Sequence, residues 1–429
     1  MCLACSDSVC AHTCRPTGPR VTLESGGEAL NLVSFNFLGL AGHPEVKAAC
    51  AAAIHKYGVG SCGPRGFYGT IGAHLPSSST FSRTRSPRRR SLPSADVHLQ
   101  LEDAIRRYCG TEDAIIYSYD VVTPASAVPA FAKRGDLLVV DDGCCYALQL
   151  GVTLSRSDVR FFKHNDMDDL RRVLEEVQAE DKAARIRTPV NRRFIICEGL
   201  YTNHGDVAPL KQLVALKRQF CFRLWVDESV SFGAMPGPAG RGACEAAGLV
   251  PEDVDVVTSS LGNTIGSVGG FCIGSKQVIN HQRLNAAGYC FSASLPPYLA
   301  AGALEALRLL GQRPELRTVL GQNAATLRAG LASVPGILPP AGESFCPVIH
   351  VRLADTSMAP AAQEALLQRV CDRTLSKHRV MLVTAKYSNV DRLKPGPSIR
   401  IAVSAAHSQA DMEAAARALR ECLREEGVK

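Results

Sequence analysis

The chain has 429 residues, enough for two or three domains and a sizeable core, and its 46% hydrophobic and 21% charged content is ordinary for a globular protein. Much of the net charge of +7 comes from one stretch, Arg83 to Arg90, and the rest is near balance, so no nucleic-acid partner is indicated. The 17 cysteines are odd in number and scattered through apolar runs such as Ile196-Cys197 and Phe271-Cys272, which excludes a disulfide framework and suits buried free thiols in a reducing compartment.

Residues 1–30 read as a disordered leader. Cys2, Cys5, Cys10, His12 and Cys14 cluster there, but no second ligand pair at finger-like spacing follows, so no zinc site is expected. The start lacks the apolar region of a secretory signal, and no run of 18 apolar residues occurs anywhere, so no membrane span is expected. A helical run, Glu45 to Lys56, leads into Gly58-Val59-Gly60-Ser61-Cys62-Gly63. That is a literal G-x-G-x-x-G, but it follows a helix rather than a strand, so dinucleotide binding is rejected. Residues 73–95, with Ser77-Ser78-Ser79 and Arg88-Arg89-Arg90, lack hydrophobic periodicity and read as a disordered Arg/Ser-rich insertion.

Short runs rich in Ile, Val and Leu then alternate with amphipathic stretches. The predicted strands are Ala114–Ser118, Leu137–Asp141, Arg193–Cys197, Arg223–Val226, Val254–Ser259 and Gly270–Gly274, with helices at Asp168–Ala179 and Leu210–Gln219 between them. This order implies a mostly parallel α/β sheet, and places the large domain at residues 31–296. After Pro296-Pro297 come a helix at Leu299–Leu310, apolar runs Val348–Leu353 and Ser398–Ser404, and helices Gln363–Lys377 and Gln409–Glu426. They form a small C-terminal α+β domain, residues 297–429. Two loops at strand ends have chemical potential. Leu224-Trp225-Val226-Asp227-Glu228 ends a buried strand in carboxylates, where open α/β sheets gather ligands. Ser260 to Gly270 is a glycine-rich turn able to turn backbone N–H groups toward a phosphate, but it lacks the Lys-Ser/Thr of a P-loop.

Asn36-Phe37-Leu38-Gly39-Leu40 and Tyr57-Gly58-Val59-Gly60-Ser61-Cys62-Gly63-Pro64-Arg65-Gly66 resemble the start of the α-oxoamine synthase family. So do Phe162-Lys163-His164-Asn165-Asp166, Gly240-Arg241-Gly242 and Phe291-Ser292-Ala293-Ser294-Leu295-Pro296-Pro297 further on. Omitting residues 73–95 restores the family's Gly-Thr-x-x-x-His-x-x-Leu-Glu pattern. The resemblance runs from Asn31 to the C-terminus and implies a fold-type I, aspartate aminotransferase-like transferase dependent on pyridoxal phosphate (PLP). Such enzymes join an amino acid to an acyl-CoA with loss of carbon dioxide.

The same resemblance implies a chain without its own catalytic groups. Catalytic members hold PLP through a lysine imine. The aligned position is Asn263, and no lysine occurs between Arg241 and Gly274. Cys145 stands where a histidine stacks on the cofactor ring, and Val230 replaces a second histidine, while Asp227, the partner of the pyridine nitrogen, persists. Asp120 replaces a usual glycine near the phosphate region, where it would repel a phosphate and suit a helix N-cap. Arg400 matches the arginine that binds the amino-acid carboxylate. Because the family builds its sites between two chains, a lysine-bearing partner holding the PLP is expected, with Cys145 either near that cofactor or a plain buried thiol. Relatives of this kind carry a membrane-anchoring helix in a longer N-terminal region, and this chain reaches Asn36-Phe37 too early for one, so either the sequence is truncated or anchoring is left to the partner. The rival reading is a self-sufficient homodimer using an unrecognised lysine.

Overall fold

The computed structural model describes residues 18–24, 26–67, 97–186 and 189–428. The cysteine cluster at the start and the segment 73–95 lie outside the described residues. Chain order begins with β1 (Arg20–Thr22) and β2 (Glu28–Asn31), an antiparallel pair. The expected leader of residues 1–30 is therefore corrected over its second part. Val21, Leu23, Ala29 and Leu30 are buried there, which fixes the backbone.

The elements of the large unit follow: α1 (Pro44–Tyr57), α2 (Val97–Cys109), β3 (Asp113–Tyr117), α3 (Val122–Phe131), β4 (Leu137–Asp141), α4 (Tyr146–Ser155), β5 (Asp158–Phe162), α5 (Met167–Ala183), β6 (Arg193–Glu198), α6 (Leu210–Phe220), β7 (Arg223–Asp227), α7 (Ala243–Ala246), β8 (Val256–Ser260) and β9 (Gly270–Gly274). Seven of these strands form one sheet in the order β3-β9-β8-β7-β6-β4-β5. β9 runs antiparallel to both neighbours, and the rest are parallel. The inner strands are buried almost throughout, β4 completely, because helices cover both faces, and this is why they carry unbroken Val, Ile and Leu. The only tryptophan, Trp225 on β7, is fully buried and meets Phe131 and Phe194 edge-on.

α8 (Lys276–Asn285), α9 (Ala287–Cys290) and α10 (Pro297–Gln312) come next, and α10 packs on α1 and α2. The remainder comprises α11 (Glu315–Ala332), β10 (Val348–Val351), α12 (Pro360–His378), β11 (Val380–Met381), β12 (Val383–Thr384), β13 (Ile399–Ala402) and α13 (Gln409–Glu425). Strands β10, β13 and β12 form one antiparallel sheet, and β11 adds parallel to β2. By packing, the smaller unit starts at α11 and also recruits β1 and β2, so the Pro296-Pro297 step marks a helix start rather than the change of core.

Candidate active site

The carboxyl ends of β4, β6, β7 and β8 lie side by side, and register sets Glu198 beside Asp227 and Asp227 beside Thr258. Asp227 is buried. It accepts hydrogen bonds from Thr258 Oγ1 at 2.6 Å and from the Ser229 amide at 3.0 Å. Burial raises its pKa, and those two bonds oppose the rise. Asn263 Nδ2 donates to the Ser229 carbonyl at 2.7 Å, so the amide is tied to the loop that follows Asp227. Cys145, half-buried, precedes α4, and its amide donates to Glu198 Oε1 at 2.6 Å. Burial, then the neighbouring Glu198 and Asp227 charges, push its thiol well up. Asn263, Cys145 and Asp227 thus meet at one place. Val230 follows in the same loop, but its side chain is packed in the core.

Two residues here were missed from sequence. Glu198 ends β6 one residue beyond the predicted strand. It accepts from Thr202 N and Oγ1, at 3.1 and 2.9 Å, and burial together with Asp227 lifts its pKa to about 8. Thr258 bridges Asp227 to the Trp225 indole, which donates to Thr258 Oγ1 at 3.2 Å. Hydrophobic strands that end in a carboxylate were the available signal, already used for Asp227.

The glycine-rich turn packs against the start of α3. Asp120 does not cap that helix as expected: Val121 holds the N-cap position with no side-chain bond. The Asp120 carboxylate instead turns to the 260–270 turn, where a Cβ built on Gly262 would collide with its Oδ2. Burial raises Asp120 to about 6, against hydrogen bonding from Ser260 and the Gly269 backbone, and the Asp227 charge adds to the rise. Its Oδ1 is buried without a partner.

A second polar cluster flanks this one. His164 Nδ1 meets Asp141 Oδ1 at 2.9 Å and its Nε2 meets Asp206 Oδ2 at 3.1 Å, while the Tyr201 hydroxyl donates to Asp141 Oδ2 at 2.8 Å. His204 stacks on His164 with ring centroids 3.8 Å apart. Burial disfavours a charged His164, but the bonds to Asp141 and Asp206 outweigh it and raise the group to about 10. Burial and the His164 charge drive His204 down to about 4. Arg400 sits elsewhere, on β13, with its guanidinium 5.0 Å over the Phe35 ring and opposite His350 in register. Its Nε is buried without a partner.

With this geometry in place, likeness to known proteins is informative. The family model of aminotransferase class I and II matches residues 28–419. Long chain base biosynthesis protein 1 of Arabidopsis thaliana is 39% identical over 403 residues, 94% of this chain and 77% of that protein. Serine palmitoyltransferase 1 of Dictyostelium discoideum is 40% identical over 411 residues, 94% of this chain and 79% of that one. The chain belongs to the long-chain-base branch of the class I and II aminotransferase family. These are transferases of long-chain-base synthesis. A structure of SPT solved with PLP has the same fold, at a TM-score of 0.80 and 24% identity, over 97% of this chain and 93% of that one. The α/β fold is therefore that of fold-type I PLP enzymes.

PLP is the cofactor that goes with this family and fold, yet the residues of this chain do not fit it. An amide stands at 263 and is committed to Ser229, no ring stacks from position 145, and a carboxylate faces the glycine-rich turn. Of the positions compared, 263, 145, 230 and 227, Asp227 alone is of a type that the cofactor uses.

Proposed function

We propose that this chain is the non-catalytic subunit of serine palmitoyltransferase, which condenses L-serine with palmitoyl-CoA to 3-oxosphinganine in sphingolipid biosynthesis. Asn263 carries the reading. An amide nitrogen has a delocalised lone pair and forms no imine, and here one of its N–H groups already donates to the Ser229 carbonyl at 2.7 Å. The partner is the catalytic long-chain base subunit 2, whose lysine and histidines hold the PLP. This chain supplies a folded wall of the shared site and stabilises the partner. Arg400, stacked over Phe35 away from that wall, is a structural cation. In this reading the chain lies at the cytosolic face of the endoplasmic reticulum membrane through the complex, which has room for small regulatory membrane subunits. No described helix is long and apolar enough to cross a membrane.

An exposed apolar face beside the degenerate site supports a partner. It presents Val59 (70% exposed), Phe67 (68%) and Phe291 (85%), with Tyr119 and Val121. The segments that carry them are bonded together: Ser61 Oγ donates to Ser294 O at 2.9 Å, Ser294 N to Gly63 O at 2.9 Å, and Ser118 Oγ to Ala293 O at 2.5 Å. Apolar surface held so rigidly in the open is the mark of an interface.

The test is to purify the chain alone, add PLP, and look for a visible imine band lost on borohydride reduction. No band is expected, whereas co-purification with a lysine-bearing paralogue is. A stoichiometric band from the chain alone would establish the rival, a self-sufficient PLP-dependent α-oxoamine synthase homodimer.

A further inference from the structure

The loop that joins β8 to β9 is shaped as an anion cradle. Gly266 and Gly269 have φ of +71° and +101°, open to glycine alone at little cost, and the Gly262 amide donates to Ser260 Oγ at 2.8 Å. The start of α3, a helix of 10 residues, adds the positive end of its dipole, although its first amides are already engaged, Thr123 N with Asp120 O at 3.1 Å and Ala125 N with Val121 O at 3.3 Å. An anion is expected in such a concavity, and one is present: the carboxylate of Asp120. Its Oδ2 lies so near Gly262 that no Cβ would fit between them, and Oδ1 is buried and unpaired.

We propose that Asp120 is a built-in occupant of this cradle, and that it excludes phosphate-bearing ligands from this chain independently of the missing lysine. A monoanion so placed meets an incoming phosphate dianion with both steric overlap and like-charge repulsion, in a region where solvent screens little. The exclusion is thus doubled. Restoring an amine at 263 leaves the cradle filled, and emptying the cradle leaves no amine.

The inference rests on the functional reading only for the identity of the ligand, and one experiment separates the two. This chain is co-expressed with its lysine-bearing partner in four forms: unchanged, Asn263→Lys, Asp120→Gly with Asn263→Lys, and Asp120→Asn with Asn263→Lys. Each complex is incubated with PLP at pH 8, where Asp120 is ionised, then reduced with borohydride, and the phosphopyridoxyl label is located by peptide mass spectrometry. Label on the partner's lysine reports assembly and the functional reading. Label at position 263 reports the inference. It is expected to rise at least ten-fold from Asn263→Lys to the double variant with Asp120→Gly, with the isosteric, uncharged Asp120→Asn double variant between them. Equal label at 263 in the single and double variants, whether high or absent, would overturn the proposal.

Discussion

His164 carries a charge that depends on two carboxylates and one imidazole. Its folded pKa of about 10 lies above the ordinary 6.5, so the stability it contributes is complete below pH 6.5 and is lost as pH rises through 10. His164→Gln strands Asp141 and Asp206 and is expected to cost about 3 kcal/mol near pH 6, the usual loss when one partner of a buried pair is removed. The gap should close toward pH 10, and chemical denaturation across that range checks it. A gap independent of pH would show that packing, not charge, is what the histidine supplies. His204 works in the opposite sense: depressed to about 4, it costs stability as pH falls from 6.5 toward 4. At Asn263 the expectation is negative. Asn263→Lys alone gives no activity from this chain without its partner, because Cys145 offers no ring to stack and Val230 is buried in the core. Condensation assayed on the purified single variant decides this, and any turnover would count against the reading.

Among elements, the buried parallel strands were legible because burial on both faces removes the polar alternation that would blur them; β4 and β9 fall where they were predicted. β5 was not, since Asp158-Val159-Arg160-Phe161-Phe162 lies at the sheet edge with one face in solvent. β1 and β2 are three and four residues long and acquire their order from a distant strand, β11, which no local window contains. The same limit hid the direction of Asp120. Its position beside a helix start suggested a cap, but the glycine turn 140 or so residues later draws the carboxylate away (roughly the separation of Asp120 from Gly262). The Gly58–Gly66 segment has its own long-range anchor: Arg65 Nη2 pairs with Glu102 Oε2 on α2 at 2.8 Å, both buried. Arg65→Met is expected to lower unfolding free energy by about 3 kcal/mol by leaving Glu102 uncompensated, and adding Glu102→Gln, which still accepts the Ile116 amide, should recover most of it. Urea titrations of the single and double variants measure the difference. Equal loss in both would mean the pair is not coupled.

For the whole molecule, the proposed function ties two features together: a sheet and an Asp227 of the family's kind, and an exposed apolar rim that would meet another chain. That no lysine lies between Arg241 and Gly274 is read directly from the sequence, because it turns on residue identity alone. The face was not, because the segments of Val59, Phe67 and Phe291 are joined by bonds between residues more than two hundred apart in the chain, Ser61 Oγ to Ser294 O and Ser294 N to Gly63 O. Phe291→Asp is expected to weaken association with the lysine-bearing partner at least ten-fold, about 1.4 kcal/mol, read by co-purification and titration. Removal of residues 73–95 should leave association nearly unchanged. The most direct measurement is the position of the cofactor in the native complex: reduce the co-purified heterodimer with borohydride and map the phosphopyridoxyl group. One label per heterodimer, on the partner's lysine and none on this chain, is the expected result. A stoichiometric label on any lysine of this chain would contradict it.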